Sequence, residues 1–290
     1  MAEWIQGARP RTLPTAVSPV LVGTAVAVGN GVVAPGRALL ALVVAVALVV
    51  GVNYANDYSD GIRGTDDHRV GPKRLVGSGA ASPAAVRAAA FVSLSVAGLA
   101  GLTLISLSRQ WWLIAVGALC LAGAWFYTGG RRPYGYVGLG EVAVFVFFGL
   151  VGVLGTVITQ VGSVNGLAIV AAIGVGLLTT AVLVANNLRD IPTDAAAGKR
   201  TLAVLLGDRE TRRLYVALVL TPFLLSVIAA LASWPVLLGL LPLPFAIVLA
   251  RRVLSGASGR ALIRVLIDTG TLLLVWSVAT AVGVVLGGFW

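Results

Sequence analysis

Runs of roughly twenty apolar residues recur along the whole chain, separated by short polar or glycine-rich breaks. Wound as a helix, a run of that length matches the hydrocarbon thickness of a bilayer. Nine such spans are read, at 14–29, 37–55, 84–107, 111–128, 138–160, 165–187, 213–232, 235–250 and 267–288. The breaks carry turn chemistry: Gly29-Asn30-Gly31, Ser108-Arg109-Gln110, Gly129-Gly130, Gly162-Ser163, Trp234-Pro235 and Ser255-Gly256. Two connections, 56–83 and 188–212, are long and polar, and the rest are short. In hydrocarbon a helix satisfies its own backbone hydrogen bonds, so the pattern predicts an all-α polytopic membrane protein of nine transmembrane helices. It forms a single integral-membrane domain over 1–290.

Composition excludes the alternatives. Of 290 residues 58% are apolar and 11% charged, and the mean hydropathy is +0.97. A water-soluble domain needs about twice that charge, and a disordered chain needs far less apolar content. Cys120, the single cysteine, rules out disulfides within the chain, and the single His68 argues against zinc or haem sites. The N-terminus lacks the charged start and cleavage site of a secretory signal, so the first retained helix is expected to direct insertion.

Charge sets the orientation. There are 21 Lys+Arg against 11 Asp+Glu, a net charge of +10. On a soluble protein that would point to nucleic acid. Here no nucleic acid is expected, because positive charge flanks membrane helices on the cytoplasmic side. With the N-terminus inside, nine spans place 19 of the 21 basic residues on one face and leave Arg37 and Arg109 on the other. Both long polar connections then face the cytoplasm and the C-terminus lies outside. The expected location is the cell membrane, with lipid around the chain.

The acids are concentrated. Six of the eight Asp stand in two clusters: Asp57, Asp60, Asp66 and Asp67 after the second span, and Asp190 and Asp194 after the sixth. Ionised carboxylates near hydrocarbon are costly, and a group of them repels itself. A bound divalent cation removes both costs. Mg²⁺ takes hard oxygen ligands and uses few carboxylates together with substrate phosphate oxygens. Asn186, Asp190 and Asp194 fall at i, i+4 and i+8, on one face of a continuing helix. Asn56 and Asp60 repeat the first step, but Gly64 stands where a third acid would be. The chain there must loop out of register to bring in Asp66 or Asp67.

A basic segment follows each cluster: Gly71-Pro72-Lys73-Arg74-Leu75 and Gly198-Lys199-Arg200-Thr201-Leu202. Lys73 and Lys199 are the only lysines in the chain. Two acid rows have room for two metals, and two cationic segments for the phosphates between them, which a diphosphate satisfies. No GxxxxGK[ST] loop accompanies them. Ordinary polar loops closed by salt bridges would explain either cluster alone. They do not explain six of eight Asp and both Lys in matching order.

At these residues the chain resembles the UbiA superfamily of intramembrane aromatic prenyltransferases. Asn56-Asp57-Tyr58-Ser59-Asp60 resembles its first motif, and Asn187-Leu188-Arg189-Asp190 with Asp194 its second. The segments NDYSDGIRGTDDHRVGPKRLVGSG and NNLRDIPTDAAAGKRTLAVLLG are similar to the branch that prenylates 1,4-dihydroxy-2-naphthoate on the way to menaquinone. ARPRTLPTAVSPVLVGTA at 8–25 and FYTGGRRPYGYVGLGE at 126–141 fit the same branch. The resemblance implies nine helices around a central cavity. It also implies transfer of a polyprenyl group from prenyl diphosphate to the naphthoate, with loss of CO₂ and diphosphate, giving demethylmenaquinol.

The same resemblance distributes roles. Asn56, Asp57, Asp60, Asp66, Asp67, Asn186, Asp190 and Asp194 are expected to hold two Mg²⁺ ions. Arg63, Lys73, Arg74, Arg189, Lys199 and Arg200 are candidates for the diphosphate. Asp60, Asp190, Lys73, Lys199 and Tyr127 carry the chemistry, the tyrosine by facing a carbocation. Tyr134 stands beside it as an interface aromatic. Arg9, Arg11 and Glu141 are candidates for the aromatic acceptor. The nearest rivals take 4-hydroxybenzoate or homogentisate by the same chemistry. A CDP-alcohol phosphotransferase needs a dense DGxxAR motif that Asp60-Gly61-Ile62-Arg63 does not form. A transporter would carry its acids mid-helix rather than at helix ends on one face.

Overall fold

The computed structural model describes residues 2–64 and 74–288, and its regular elements are all helical. In chain order they are α1 (Ala2–Ala8), a 3₁₀ turn (Pro10–Thr12), α2 (Pro14–Gly29), α3 (Pro35–Ile62), α4 (Pro83–Ser108) and α5 (Leu113–Phe126). After a loop come α6 (Gly140–Val144), a π-helical stretch (Phe145–Leu154) and α7 (Gly155–Val161) in one continuous run. Then follow α8 (Gly166–Ala196), α9 (Leu202–Ala230), a 3₁₀ stretch (Trp234–Leu240), α10 (Leu243–Leu254) and α11 (Arg260–Gly287).

Each of the nine expected spans has its helix, but the count differs by length. Among the described residues seven helices are long and apolar enough to cross a membrane, and the pair Ala2–Thr12 and Pro14–Gly29, bent by 48°, makes an eighth if it is one span. The remaining one, α5, has 14 residues. At about 1.5 Å per residue it covers about 21 Å, short of the ~30 Å of hydrocarbon. Its two ends nevertheless reach opposite ends of the bundle. Gln110, just before it, lies beside Gly162; Thr128, just after it, donates to Asn56 Oδ1 at 2.8 Å.

The helices outrun the apolar stretches that announce them. α3 continues through Ile62 and α8 through Ala196, while α9 starts at Leu202. Most of the second expected polar connection, and the first two turns of the first, are therefore helix. Hydropathy marks where hydrocarbon stops, whereas a helix runs on for as long as its polar residues face the bundle interior. α9 begins with a short turn that breaks at Gly207, where φ is 77°.

Helix α8 is the central post, with one side of most of its turns buried. Small residues let its neighbours approach, as lipid-embedded packing requires. A Cβ on Gly149 would lie 2.5 Å from the Gly176 Cα, and one on Gly174 would lie 2.5 Å from the Trp276 ring. α2 and α11 run side by side in the same direction: Gly270 lies against Pro14 and Gly288 against Gly29. At the end remote from the acids, Arg37 binds the Leu107 carbonyl at 2.9 Å and the Thr159 carbonyl at 3.2 Å. It thereby gathers the last turns of α4 and α7, which gives one of the two basic residues on this face, Arg37 and Arg109, a structural role.

Candidate active site

A cavity of about 550 Å³ opens inside the bundle between α2, α3, α4, α5, the π-helical stretch and α8. Its two ends differ in chemistry. One is walled by apolar side chains such as Val44, Leu104, Ile114, Phe147 and Val151. The other carries Asn56, Asp60, Arg74, Asn186, Asp190, Asp194 and Lys199. The π-helical winding of Phe145–Leu154 helps shape the apolar part, since a π turn displaces side chains from ordinary helical register.

Asp60 sits on the last turns of α3 and is 3% exposed. Its Oδ1 accepts from the Tyr136 hydroxyl at 2.5 Å and from Lys199 Nζ at 3.3 Å. Arg74 Nη2 lies 3.6 Å from its Oδ2. The fold thus brings a cation from each half of the chain onto one carboxylate. Lys199 reaches it because α8 stops sharply. Gly198 takes a left-handed φ of 72°, its N–H bonds the Ala195 carbonyl, and the Lys199 N–H bonds the Asp194 carbonyl at 2.8 Å. The Arg200 N–H then bonds the Tyr136 carbonyl at 2.9 Å, and the Lys199 ammonium stands 4.6 Å from the centre of the Tyr136 ring.

The acids of the first motif divide. Asp57 does not line the cavity. It is 1% exposed and accepts from the backbone N–H groups of Leu75 and Val76 at 2.9 and 3.0 Å. It pins the segment that bears Arg74 against the end of α3. Gly61 permits that contact, since a Cβ there would lie 2.4 Å from a Val76 methyl. Asp66, Asp67 and Lys73 lie outside the described residues.

The second motif keeps its predicted face: Asn186, Asp190 and Asp194 all line the cavity. Arg189 is bound to this row rather than presented to a ligand. It pairs with Asp190 Oδ2 at 2.6 Å and donates to Asn186 Oδ1 at 2.9 Å, and it does not line the cavity. Arg63 clamps the loop after α5, donating to the Thr128 and Gly130 carbonyls and lying over the Tyr136 ring. Arg200 is exposed. Of the five candidate diphosphate cations among the described residues, the cavity therefore receives Arg74 and Lys199.

Arg9 lines the same cavity, held in a left-handed turn with φ of 54°. Asn53 fixes that turn by donating to the Ala8 carbonyl and to Thr12 Oγ1. Arg11 stands outside the lining. Tyr127 faces in and packs edge-on against Tyr134 at 5.5 Å. Burial lifts the Tyr134 phenol, between two spans, to about 12. Glu141 is buried behind the wall and accepts from Asn187 at 2.9 Å rather than pairing with Arg131 or Arg132, which are exposed.

Two contributors are absent from the sequence reading: Tyr136, which bonds Asp60, and Thr128, which bonds Asn56. Both stand in the FYTGGRRPYGYVGLGE segment. The usable signal was its density of Gly and Tyr between two spans, which marks a folded loop rather than a simple turn.

Asn and Asp oxygens facing a cavity beside two cations suit a hard divalent ion that completes its shell from a phosphate ligand. Among the described residues no three acidic, histidine or cysteine side chains form a cage by themselves. That fits Mg²⁺, which is commonly held by one or two carboxylates plus substrate phosphates.

The UbiA prenyltransferase family profile matches residues 16–278. A 1,4-dihydroxy-2-naphthoate octaprenyltransferase of Mycobacterium tuberculosis is 58% identical over 97% of this chain and 96% of its own. One from Escherichia coli is 40% identical over 75% and 72%. The structure of a UbiA homolog from Archaeoglobus fulgidus bound to GPP and Mg²⁺ superposes with a TM-score of 0.66 at 13% identity, covering 96% of this chain and 99% of that one.

Proposed function

The chain belongs to the UbiA prenyltransferase family, and from that premise we propose that it transfers a polyprenyl group to 1,4-dihydroxy-2-naphthoate. The observation that carries the reading is the two-ended cavity. Asp60 from one half and Asp190 and Asp194 from the other share its polar end, and the opposite end is apolar. A polyprenyl diphosphate has that same division of chemistry. The relatives at 58% and 40% identity bear the naphthoate prenyltransferase name over most of their length, which selects the acceptor among aromatic acids.

Asp60, Asn56, Asn186, Asp190 and Asp194 are the residues proposed to hold Mg²⁺, as two ions, one for each motif. When bound, the metal neutralises charge on the diphosphate and so eases its departure. Arg74 and Lys199 meet the phosphate oxygens, leaving Asp60 for the metal. The allylic C–O bond breaks and its electron pair leaves with the diphosphate. A ring carbon of the acceptor forms the new C–C bond, and the carboxylate on the ring departs as CO₂. Tyr127 presents a neutral aromatic face toward the developing cation and helps exclude water. Arg9 supplies a positive charge for the acceptor carboxylate. The polar end faces the cytoplasm, with the N-terminus inside and the C-terminus outside.

The test is purified protein in detergent with one prenyl diphosphate, Mg²⁺ and a panel of naphthoate, benzoate and homogentisate acceptors. Prenylated naphthol as the dominant product is expected. A dominant prenylated benzoate or homogentisate would overturn the acceptor assignment.

A further inference from the structure

Glu141 is an unusual residue for its position. It is a carboxylate 5% exposed, in the first turn of a membrane-crossing run, and its Oε2 has no hydrogen-bond partner among the described residues. Among the described residues it pairs with no cation. Its side-chain hydrogen bond comes from Asn187, whose Nδ2 lies 2.9 Å from Oε1. Glu141 does not line the cavity, whereas Asn187 does.

A carboxylate oxygen accepts hydrogen bonds. The end of the Asn187 amide that meets Oε1 must therefore be its NH₂. The carbonyl Oδ1 is left on the other side, toward Asn186, whose Nδ2 is 3.5 Å away. That is beyond a good hydrogen bond, and Asn186 Nδ2 is in any case shared with Asp190 Oδ2 at 3.3 Å. Asn187, which lines the cavity beside Asn186, thus keeps acceptor capacity at its Oδ1. Without Glu141 its amide could turn either way.

We propose that Glu141 is a positioning residue that fixes the Asn187 amide so that its carbonyl oxygen receives a hydroxyl of the aromatic acceptor. The inference rests on the naphthoate reading above, since that acceptor carries two ring hydroxyls that can donate. A carbonyl receiving such a hydroxyl orients the ring and draws the O–H bond toward the protein, which enriches the ring carbons. A site built to pair a hydroxyl discriminates against analogues that lack it, because its own buried polar atom is then left unpaired.

The experiment compares binding of acceptor analogues rather than their turnover, since removing a hydroxyl also changes ring reactivity. Inhibition constants of 1-hydroxy-2-naphthoate and 4-hydroxy-2-naphthoate are measured against the diol, with KM for the prenyl diphosphate alongside. In the unaltered enzyme one of the two analogues should bind about tenfold worse than the other, the scale of one buried hydrogen bond. In Asn187→Leu and in Glu141→Leu that difference should collapse to about twofold or less, with KM for the prenyl diphosphate unchanged. Glu141→Gln, which keeps the volume and offers a carbonyl, should fall between. If Glu141→Leu does not fold, Asn187→Leu and Glu141→Gln carry the test. An unaltered discrimination in Asn187→Leu overturns the proposal, and so does a parallel rise in KM for the prenyl diphosphate. Absence of any naphthoate prenylation by the unaltered enzyme is a different outcome, one that removes the acceptor assignment itself.

Discussion

Lys199 Nζ lies 3.3 Å from Asp60 Oδ1, an ion pair between residues 139 positions apart and both largely buried. It ties the end of α8 to the end of α3 and closes the polar end of the cavity from two halves of the chain. A buried pair of this kind gives little net stability, because both charges lose water. Its position at the mouth of a cavity that suits a diphosphate gives it a functional reading instead. Lys199→Met should lower kcat/KM for the prenyl diphosphate about 100-fold, the scale of removing one preorganised charge-stabilising group. Steady-state kinetics with the acceptor saturating checks this, and a loss confined to the acceptor's KM would contradict it.

Asp57 and Asp60 are three residues apart and should behave differently. Asp60→Asn removes a carboxylate from the cavity and should cut turnover by at least about 100-fold with little change in thermal stability. Asp57→Ala strands the N–H groups of Leu75 and Val76 in a buried site and should cost about 2 kcal/mol of stability. Thermal unfolding in detergent, read beside turnover, separates the two. An Asp57 variant that is stable but inactive would place that acid among the metal ligands instead.

Tyr136→Phe tests a contact that sequence patterns alone did not single out. The ring remains to pack beneath Lys199 and Arg63, while the hydroxyl on Asp60 is lost. A hydrogen bond to a charged group is worth about 1.5–3 kcal/mol. kcat/KM should therefore fall by about tenfold or more, with the fold intact. Unchanged kinetics would make Tyr136 a packing residue.

These contrasts show what could be read from residues in order and what could not. The Asn186, Asp190, Asp194 face was legible because its spacing is the helical period and α8 stays regular through Ala196. The roles of Asp57 and Asp60 were not separable. Their distinction depends on a distant segment, Arg74–Val76, docking against the end of α3, and no local spacing encodes that. Arg63 and Arg189 looked like ligands for phosphate because composition counts charges and not directions. One turns to loop carbonyls and the other to its own acid row. The nine spans were visible as apolar runs, yet the shortness of α5 and the helical continuation of α3 and α8 were not, because hydropathy reports contact with lipid and not backbone winding.

Orientation is open to direct labelling. With Cys120 replaced, cysteines at Ser82 and Asp208 should react with impermeant thiol reagents in inside-out vesicles, and one at Asn30 in right-side-out cells. Ser82 caps the start of α4 near the acid end. Asn30 lies beside Asn165 at the other. Labelling of Ser82 and Asn30 from the same side would contradict the proposed sidedness.

The most direct measurement of the central claim follows the fate of the acceptor's carboxyl carbon. Purified enzyme is given prenyl diphosphate, Mg²⁺ and naphthoate labelled at the carboxylate, and released CO₂ and diphosphate are counted together. One of each per prenylated naphthol is predicted, abolished by chelation, restored by Mg²⁺, and reduced by at least about 100-fold in Asp190→Asn. Diphosphate release without CO₂, or full turnover in excess chelator, would contradict the account.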